Sequence, residues 1–377
     1  MSHTSCRSIS IEAYEEMNTV VIEALDALGC DDRLTSRGHL QLLTSSNLDC
    51  EFAFFVARDN TTRDPLAISY GFLTKVSVWR NFSLCVFVSG SPVNTGLPFE
   101  FDSNLSEKEE VLGLLVSKMC KFAKRKKASV ILIRDFFEDV LPWFERLPVL
   151  NRLSLRPVPI FQNAFLDIRW ASYDEYLQMM RGRYRKQIRY DLKKILGDSD
   201  YTVRFFNGVE ALNMVQDIHR LWVQTFRRHP DDLDQLYLTY IFFHNILKEN
   251  RHGVMCIFKG QSLASFGLLL NRGETIESSF CGQDYGLTGN DPVDRVLTHL
   301  IVQHAIEKHY KTLDLGISNE AIKARVGCRF ELLNAFVGMS NSFLSRIIPI
   351  DKFIKRMYHV KLDDPLMPKN SVFMSES

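Results

Sequence analysis

One order of segments occurs twice along this chain, and it restricts the fold more than any single motif does. In the first half an amphipathic helix is predicted over about 11–28, ending at Gly29. Three strand-like runs follow: "EFAFFVARD", "LAISYGFLTK" and "SLCVFVSG". A loop containing "SPVNTGLP" leads to a helix opened by a Ser106-x-x-Glu109 capping box, then to the strand "SVILIRD" and a short aromatic helix, "FFEDVLPWFERL". In the second half, helical runs ("GVEALNMVQDIHRLWVQTF", then "DLDQLYLTYIFFHNILKE") precede the strands "HGVMCIF", "SLASFGLLL" and "TIESSFCG". The loop "QDYGLTGND" comes next, then a helix with Asp291 as its cap and Pro292 in its first turn. The strand "KTLDLGI" and a short helix through Lys323 complete the set. The repetition is one of order, with almost no residue identity between the halves.

Helices, an antiparallel meander and a closing strand–helix–strand make a compact α+β unit. The closing crossover is expected to be right-handed, with its two strands parallel. Ligands of such sheets gather beyond the carboxyl ends of parallel strands. In the second half those ends carry Gln283, Asp284 and Tyr285 on one strand and Ile317, Ser318 and Asn319 on the other.

A length of 377 residues allows about two domains, and 46% hydrophobic with 24% charged residues is an ordinary folded composition. A formal net charge of +1 supplies no global field, so any site for a polyanion has to be a local patch. The first residues, "MSHTSCRSISIEAYEEM", lack the apolar core of a signal peptide, and no apolar run has a membrane-spanning length. The eight cysteines are scattered without a CxxC, which fits reduced core residues in a cytoplasmic protein. His299, His304 and His309 recur every five residues, which spreads them around a helix, so no metal is expected.

Two stretches carry a family likeness. "YDEYLQMMRGRYRKQIRYDLKKI", Tyr173 to Ile195, is similar to the basic R-K-x-x-R helix that opens the second domain of the Fem aminoacyltransferases. "LDLGISNEAIKARVGC" is similar to the strand, Gly and K-x-R-x-G segment near the end of that domain. With the doubled element order, the chain resembles the FemAB-like branch of the GNAT acyltransferase superfamily over about residues 45–340. The resemblance implies two tandem GNAT-like domains of α+β class. Each is a mixed, mostly antiparallel sheet with one parallel strand pair, flanked by helices. The domains are expected at 1–165 and 166–345, with a tail at 346–377.

The implied reaction transfers an acyl or aminoacyl group to an amine by direct attack in a ternary complex. No cofactor is held permanently; acyl-CoA or aminoacyl-tRNA is the co-substrate. The partners are an amine acceptor, either a small molecule or a peptide, with tRNA or an acyl carrier protein as donor carrier. The loop "QDYGLTGND" has no basic residue and differs in glycine spacing from the usual CoA-pyrophosphate loop, and no long helical arm is present. A non-catalytic protein that keeps the fold to bind RNA or an acidic partner is the alternative.

Arg181, Arg185, Arg189 and Lys193 recur every four residues and form one basic ridge, with Tyr184, Ile188, Leu192 and Ile195 forming an apolar ridge beside it. Such a helix docks by one side, and its other side is either a solvated basic face or a phosphate contact through Arg185, Arg189 and Lys193, which the planar arginine fork favours. The run "KFAKRKK" ends a helix whose first turn carries Glu107, Glu109 and Glu110, as the helix dipole favours. Those acids would repel phosphate, so the donor is expected in the second half, with the first half structural or shaping the acceptor site.

Lys323 either pairs with Glu320 at the surface or faces the oxyanion of a tetrahedral intermediate or a donor phosphate. Arg325, Gln283, Ser318 and Asn319 are the further binding candidates. Gly316 ends the strand without a side chain, and Gly327 permits close backbone approach. Glu277, Asp284 and Glu320 are candidate bases and Tyr285 a proton donor. Cys281 has no histidine placed to activate it and is expected to be a small strand residue.

Overall fold

The structure is a computed structural model of the chain and describes residues 8–28, 34–79, 82–228, 236–317, 320–340 and 372–373. The chain divides into two compact units: Met1–Phe161 with Asp232–Leu236 and Leu332–Val360, and Gln162–Asp231 with Tyr237–Glu331 and Lys361–Ser377.

The first unit contains β1 (Ile9–Tyr14), α1 (Thr19–Leu28), α2 (Arg37–Thr44), β2 (Glu51–Asp59), β3 (Pro65–Trp79), β4 (Phe82–Ser89), β5 (Phe99–Phe101), α3 (Lys108–Arg125), β6 (Val130–Phe136), α4 (Leu141–Glu145), α5 (Pro148–Leu153) and the start of β7 (Arg156–Asp167). Its sheet runs β1-β2-β3-β4-β6, antiparallel except that β4 and β6 are parallel, from Val86 against Val130 to Ser89 against Ile133. α3 makes the crossover between them and buries Val111, Leu112, Leu115, Val116, Met119 and Phe122 on the sheet. Phe99, Phe136, Phe144 and Phe336 close one end of this core, the Phe136 and Phe144 rings lying 3.9 Å apart. Phe136 is fully buried, so Phe136→Ala is expected to cost about 3–5 kcal/mol in chemical denaturation with an unchanged m-value.

The second unit takes the end of β7 and contains α6 (Tyr173–Met179), α7 (Gly182–Leu196), β8 (Tyr201–Asn207), a 3-10 turn (Glu210–Met214), α8 (Val215–Arg228), α9 (Tyr240–Leu247), β9 (Gly253–Lys259), β10 (Ser262–Arg272), β11 (Thr275–Gln283), α10 (Tyr285–Thr288), α11 (Val293–Glu307), β12 (Thr312–Ile317) and α12 (Glu320–Val326). β13 (Arg329–Met339) follows, and from Leu332 onward it belongs to the first unit, paired antiparallel with β6. The sheet order in the second unit is β7-β12-β11-β10-β9-β8, again with one parallel pair, β11 with β12. α11 lies over one face, burying Val293, Val296, Leu297 and Ile301. α8 packs on the sheet closely enough that a Cβ at Gly282 would stand 2.7 Å from the Leu221 carbonyl carbon.

Each unit is therefore the expected mixed, mostly antiparallel sheet with one parallel pair and flanking helices. Four local expectations are corrected. The helix predicted over 11–28 is a strand followed by a shorter helix. Ile9, Ile11 and Ala13 alternate toward the core, and β1 pairs along β2. That period of two overrides the helical reading. The capping box does not form: α3 starts at Lys108 after Glu107, without a side-chain cap. Asp291 does not cap α11, because Lys194 (2.8 Å) and Tyr201 (2.7 Å) engage its carboxylate. The helical run from Asp232 is helical only over Tyr240–Leu247 among the described residues. β7, β8 and β13 went unrecognised in the sequence. The apolar, basic tail lies outside the described residues except for Val372 and Phe373. No helix among the described residues is long and apolar enough to cross a membrane.

Candidate active site at the parallel strand ends

The described register of β11 with β12 covers Thr275–Glu277 against Thr312–Asp314. Beyond it each strand keeps a different neighbour. β11 continues against β10, with Phe280 opposite Leu268 and Gln283 opposite Ser265. β12 bulges after Asp314 and continues against β7, with Gly316 opposite Ala164 and Ile317 opposite Asn163. The parallel strands thus part on the carboxyl side of Glu277 and Asp314. Gly316 has φ +71°, a left-handed backbone that suits a residue without Cβ.

The Lys323 side chain, buried at 8% exposure, reaches from α12 to this end of β12. Its Nζ donates to the carbonyls of Gly316 (2.8 Å) and Ile317 (3.1 Å), so it is not spent on a surface pair with Glu320. An ammonium has three protons to donate. Two are used here, and the third has no partner among the described residues. Burial pulls the Lys323 pKa down to about 8, against the opposing pull of Cys328, Asp314, Cys281 and Glu320.

Asp314 and Glu277 are register partners on adjacent parallel strands, so their side chains share one face. Arg272 Nε holds the Glu277 carboxylate at 2.6 Å. Asp314 Oδ1 accepts from Asn163 Nδ2 (3.0 Å) and the Gly316 N–H (2.8 Å). Burial, then the neighbouring Glu277 charge, pushes the Asp314 carboxyl up to about 6. Asp314 and Asn163 were not singled out in the sequence. The available signal was an acid inside the apolar run "TLDLGI".

Cys281 on β11 is exposed to solvent, yet protein encloses it closely enough that desolvation raises its thiol pKa, with Lys323 opposing. The raised pKa keeps the thiol protonated at neutral pH, which disfavours it as a nucleophile.

The remaining candidates are dispersed. Asp284 caps α10 through the Leu287 N–H (3.1 Å) and pairs with Arg220 (2.9 Å). Burial would raise its pKa, but the Arg220 and Leu287 bonds outweigh that and hold it low. Tyr285 lies under the Arg228 guanidinium, 3.8 Å from the ring centre. Gln283 is buried and donates to Thr288 Oγ1 at 2.7 Å. Glu320 occupies the first turn of α12. Arg325 is exposed, because it stands two positions beyond buried Lys323 and the helix turns it the other way. Gly327, at φ +93°, faces the Phe373 ring, which a Cβ would meet at 2.4 Å. Ser318 and Asn319 lie outside the described residues.

α7 docks through Ile188, Asp191 and Ile195. Arg295 grips buried Asp191 with two bonds (2.8 and 3.2 Å), and Gln187 adds a third (2.9 Å). Arg185 donates to the Gln178 carbonyl (3.0 Å) at the end of α6, whereas Arg189 and Lys193 are exposed without an acidic partner among the described residues.

Two mixed, mostly antiparallel units in tandem, each with one parallel strand pair joined by a helical crossover, form the tandem fold of GNAT acyltransferases. The chain belongs to the FemAB-like family, described as peptidoglycan biosynthesis/recognition, whose model matches residues 84–277, just over half the chain. Solved structures share the fold at low identity. FemX superposes with a TM-score of 0.54 at 14% identity, covering 89% of this chain and 99% of that one. A tandem GNAT protein from the clavulanic acid biosynthesis pathway gives 0.55 at 8% identity, covering 89% and 99%. The C-terminal domain of a putative lysylphosphatidylglycerol synthetase from Agrobacterium fabrum gives 0.52 at 13%, covering 91% and 98%. No curated protein matches the sequence.

Proposed function

We propose that this protein forms amides by transferring an acyl or aminoacyl group from an activated donor directly to an amine at the β11/β12 mouth of the second unit. The amine nitrogen attacks the donor carbonyl carbon. The bond to the carrier then breaks, and the carrier leaves with the bonding electron pair and a proton. Oxygen charge builds up in the tetrahedral intermediate, and the unused Lys323 N–H is the group suited to meet it. The observation that carries the reading is this buried ammonium fixed by two strand-end carbonyls.

Exposed Arg189 and Lys193 on a firmly docked helix suit a phosphate-bearing donor, either aminoacyl-tRNA or acyl-CoA. The aminoacyl form agrees with the family and with the lysyl group in the name of the Agrobacterium relative. The loop "QDYGLTGND" lacks the basic residue and the glycine spacing of a CoA-pyrophosphate loop, which favours tRNA.

The test is transfer to a panel of primary amines, followed by mass spectrometry with CoA thioesters and with charged tRNA as separate donors. Product from one donor identifies it; no product from either removes the reading in favour of a binding protein. With tRNA as donor, Arg189→Glu with Lys193→Glu is expected to weaken binding and to reduce the log–log salt slope by about 1 for each phosphate no longer neutralised. An unchanged slope would remove α7 from the donor site.

A further inference from the structure

The parting of β11 and β12 leaves oxygen acceptors in place, with their donors missing. Asp314 is half-buried. Its Oδ1 is saturated by Asn163 Nδ2 and the Gly316 N–H, while its Oδ2 is accessible and has no partner among the described residues. Asn163 is fully buried, and its own Oδ1 is also without a partner. A buried amide oxygen without a donor costs about 1–3 kcal/mol, so two unpartnered acceptors on side chains joined by the Asn163–Asp314 bond suit a ligand rich in N–H groups. Glu277, the other acid on this face, is committed to Arg272 at 2.6 Å. Among the described residues Lys323 is the cation that acts on the Asp314 charge, and two carbonyls hold its ammonium at the end of β12. A cation binding at Asp314 would therefore meet a pair of acids already half-neutralised on the Glu277 side.

We propose that Asp314 and Asn163 form the subsite for the acceptor as a primary alkylammonium, and that Asp314 Oδ2 is the base that takes its proton. This rests on the amide-forming reading above and names its acceptor class and its base. In the step, one N–H proton passes from R–NH₃⁺ to the Asp314 carboxylate, giving R–NH₂ and a carboxylic acid. The freed lone pair forms the C–N bond. As the carrier is expelled, it leaves with its electron pair and takes up a second proton from the same nitrogen. Asp314 then returns its proton to solvent. A carboxyl pushed up to about 6 by burial and by Glu277 is well matched to this task near neutrality.

The test uses Asp314→Asn, which keeps the side-chain shape, compared with wild type by thermal unfolding to establish that it folds. Saturation-transfer NMR with n-butylammonium reads binding without any reaction. Wild type is expected to bind the probe and Asp314→Asn to lose it. In the transfer assay, the variant is expected to lose about 100-fold or more with n-butylamine. The loss with hydroxylamine, which is already neutral near neutral pH, is expected to be much smaller. Wild type that fails to bind the probe, or a variant that loses both nucleophiles equally or neither, overturns the subsite while leaving amide transfer in place. Probe binding that depends on Asp314 in a protein that transfers nothing keeps the subsite and overturns the reaction.

Discussion

Lys323→Ala is expected to reduce turnover by about 100- to 1000-fold, or roughly 3–4 kcal/mol of transition-state stabilisation, while donor binding is retained. The magnitude follows from position. The ammonium is buried, fixed by the Gly316 and Ile317 carbonyls, and has one N–H left. A donor fixed before the reaction needs no reorganisation as charge develops. The same substitution also removes a long buried side chain, so lost activity could reflect lost packing. Lys323→Met separates the two effects. It keeps most of the volume and removes a charge whose burial is unfavourable, at the cost of two carbonyl partners. Its unfolding free energy is expected to stay within about 2 kcal/mol of wild type with turnover as low as in the alanine variant. A methionine variant that retains wild-type turnover would show that Lys323 only supports the strand end.

The pH dependence of acyl transfer is expected to be bell-shaped, rising near 6 as Asp314 ionises and falling near 8 as Lys323 loses its proton. Asp314→Asn is expected to abolish the acid limb for amine acceptors, and a limb that persists would assign it to another group. Stability carries the opposite signature. Asp314 titrates near 6 in the folded chain against an ordinary 3.8, so the folded state binds more protons across that interval. Its contribution to stability therefore falls as pH rises from 3.8 to about 6. Lys323 titrates near 8 against an ordinary 10.5, so the folded state binds fewer protons there, and its contribution rises from about 8 to 10.5. Between about 6 and 8 both groups are charged and both burials are unfavourable, in the same window in which the chemistry needs them charged. Thermal unfolding across pH is expected to show Lys323→Met and Asp314→Asn gaining most on wild type in that window.

The sequence determined the architecture and pointed to a candidate site. Short apolar runs such as "EFAFFVARD" and "SLASFGLLL", with the order of helices and strands, were enough for two mixed α+β units, because run length and crossover handedness are local or topological constraints. The "LDLGISNEAIKAR" segment was enough to place a cation at a parallel strand end. What the sequence left undecided depends on partners distant in the chain. Asp314 acquires its character from Asn163, 151 residues away, and from Glu277 on the neighbouring strand. Asp284, an equally plausible base on paper, is committed to Arg220, 64 residues away. The edge strand β1 was mistaken for helix because its partner, β2, lies across a turn and two helices. Spacing reports which residue types share an element, but the protonation and availability of a carboxylate depend on burial and on neighbouring charges and donors, and only the tertiary structure decides those.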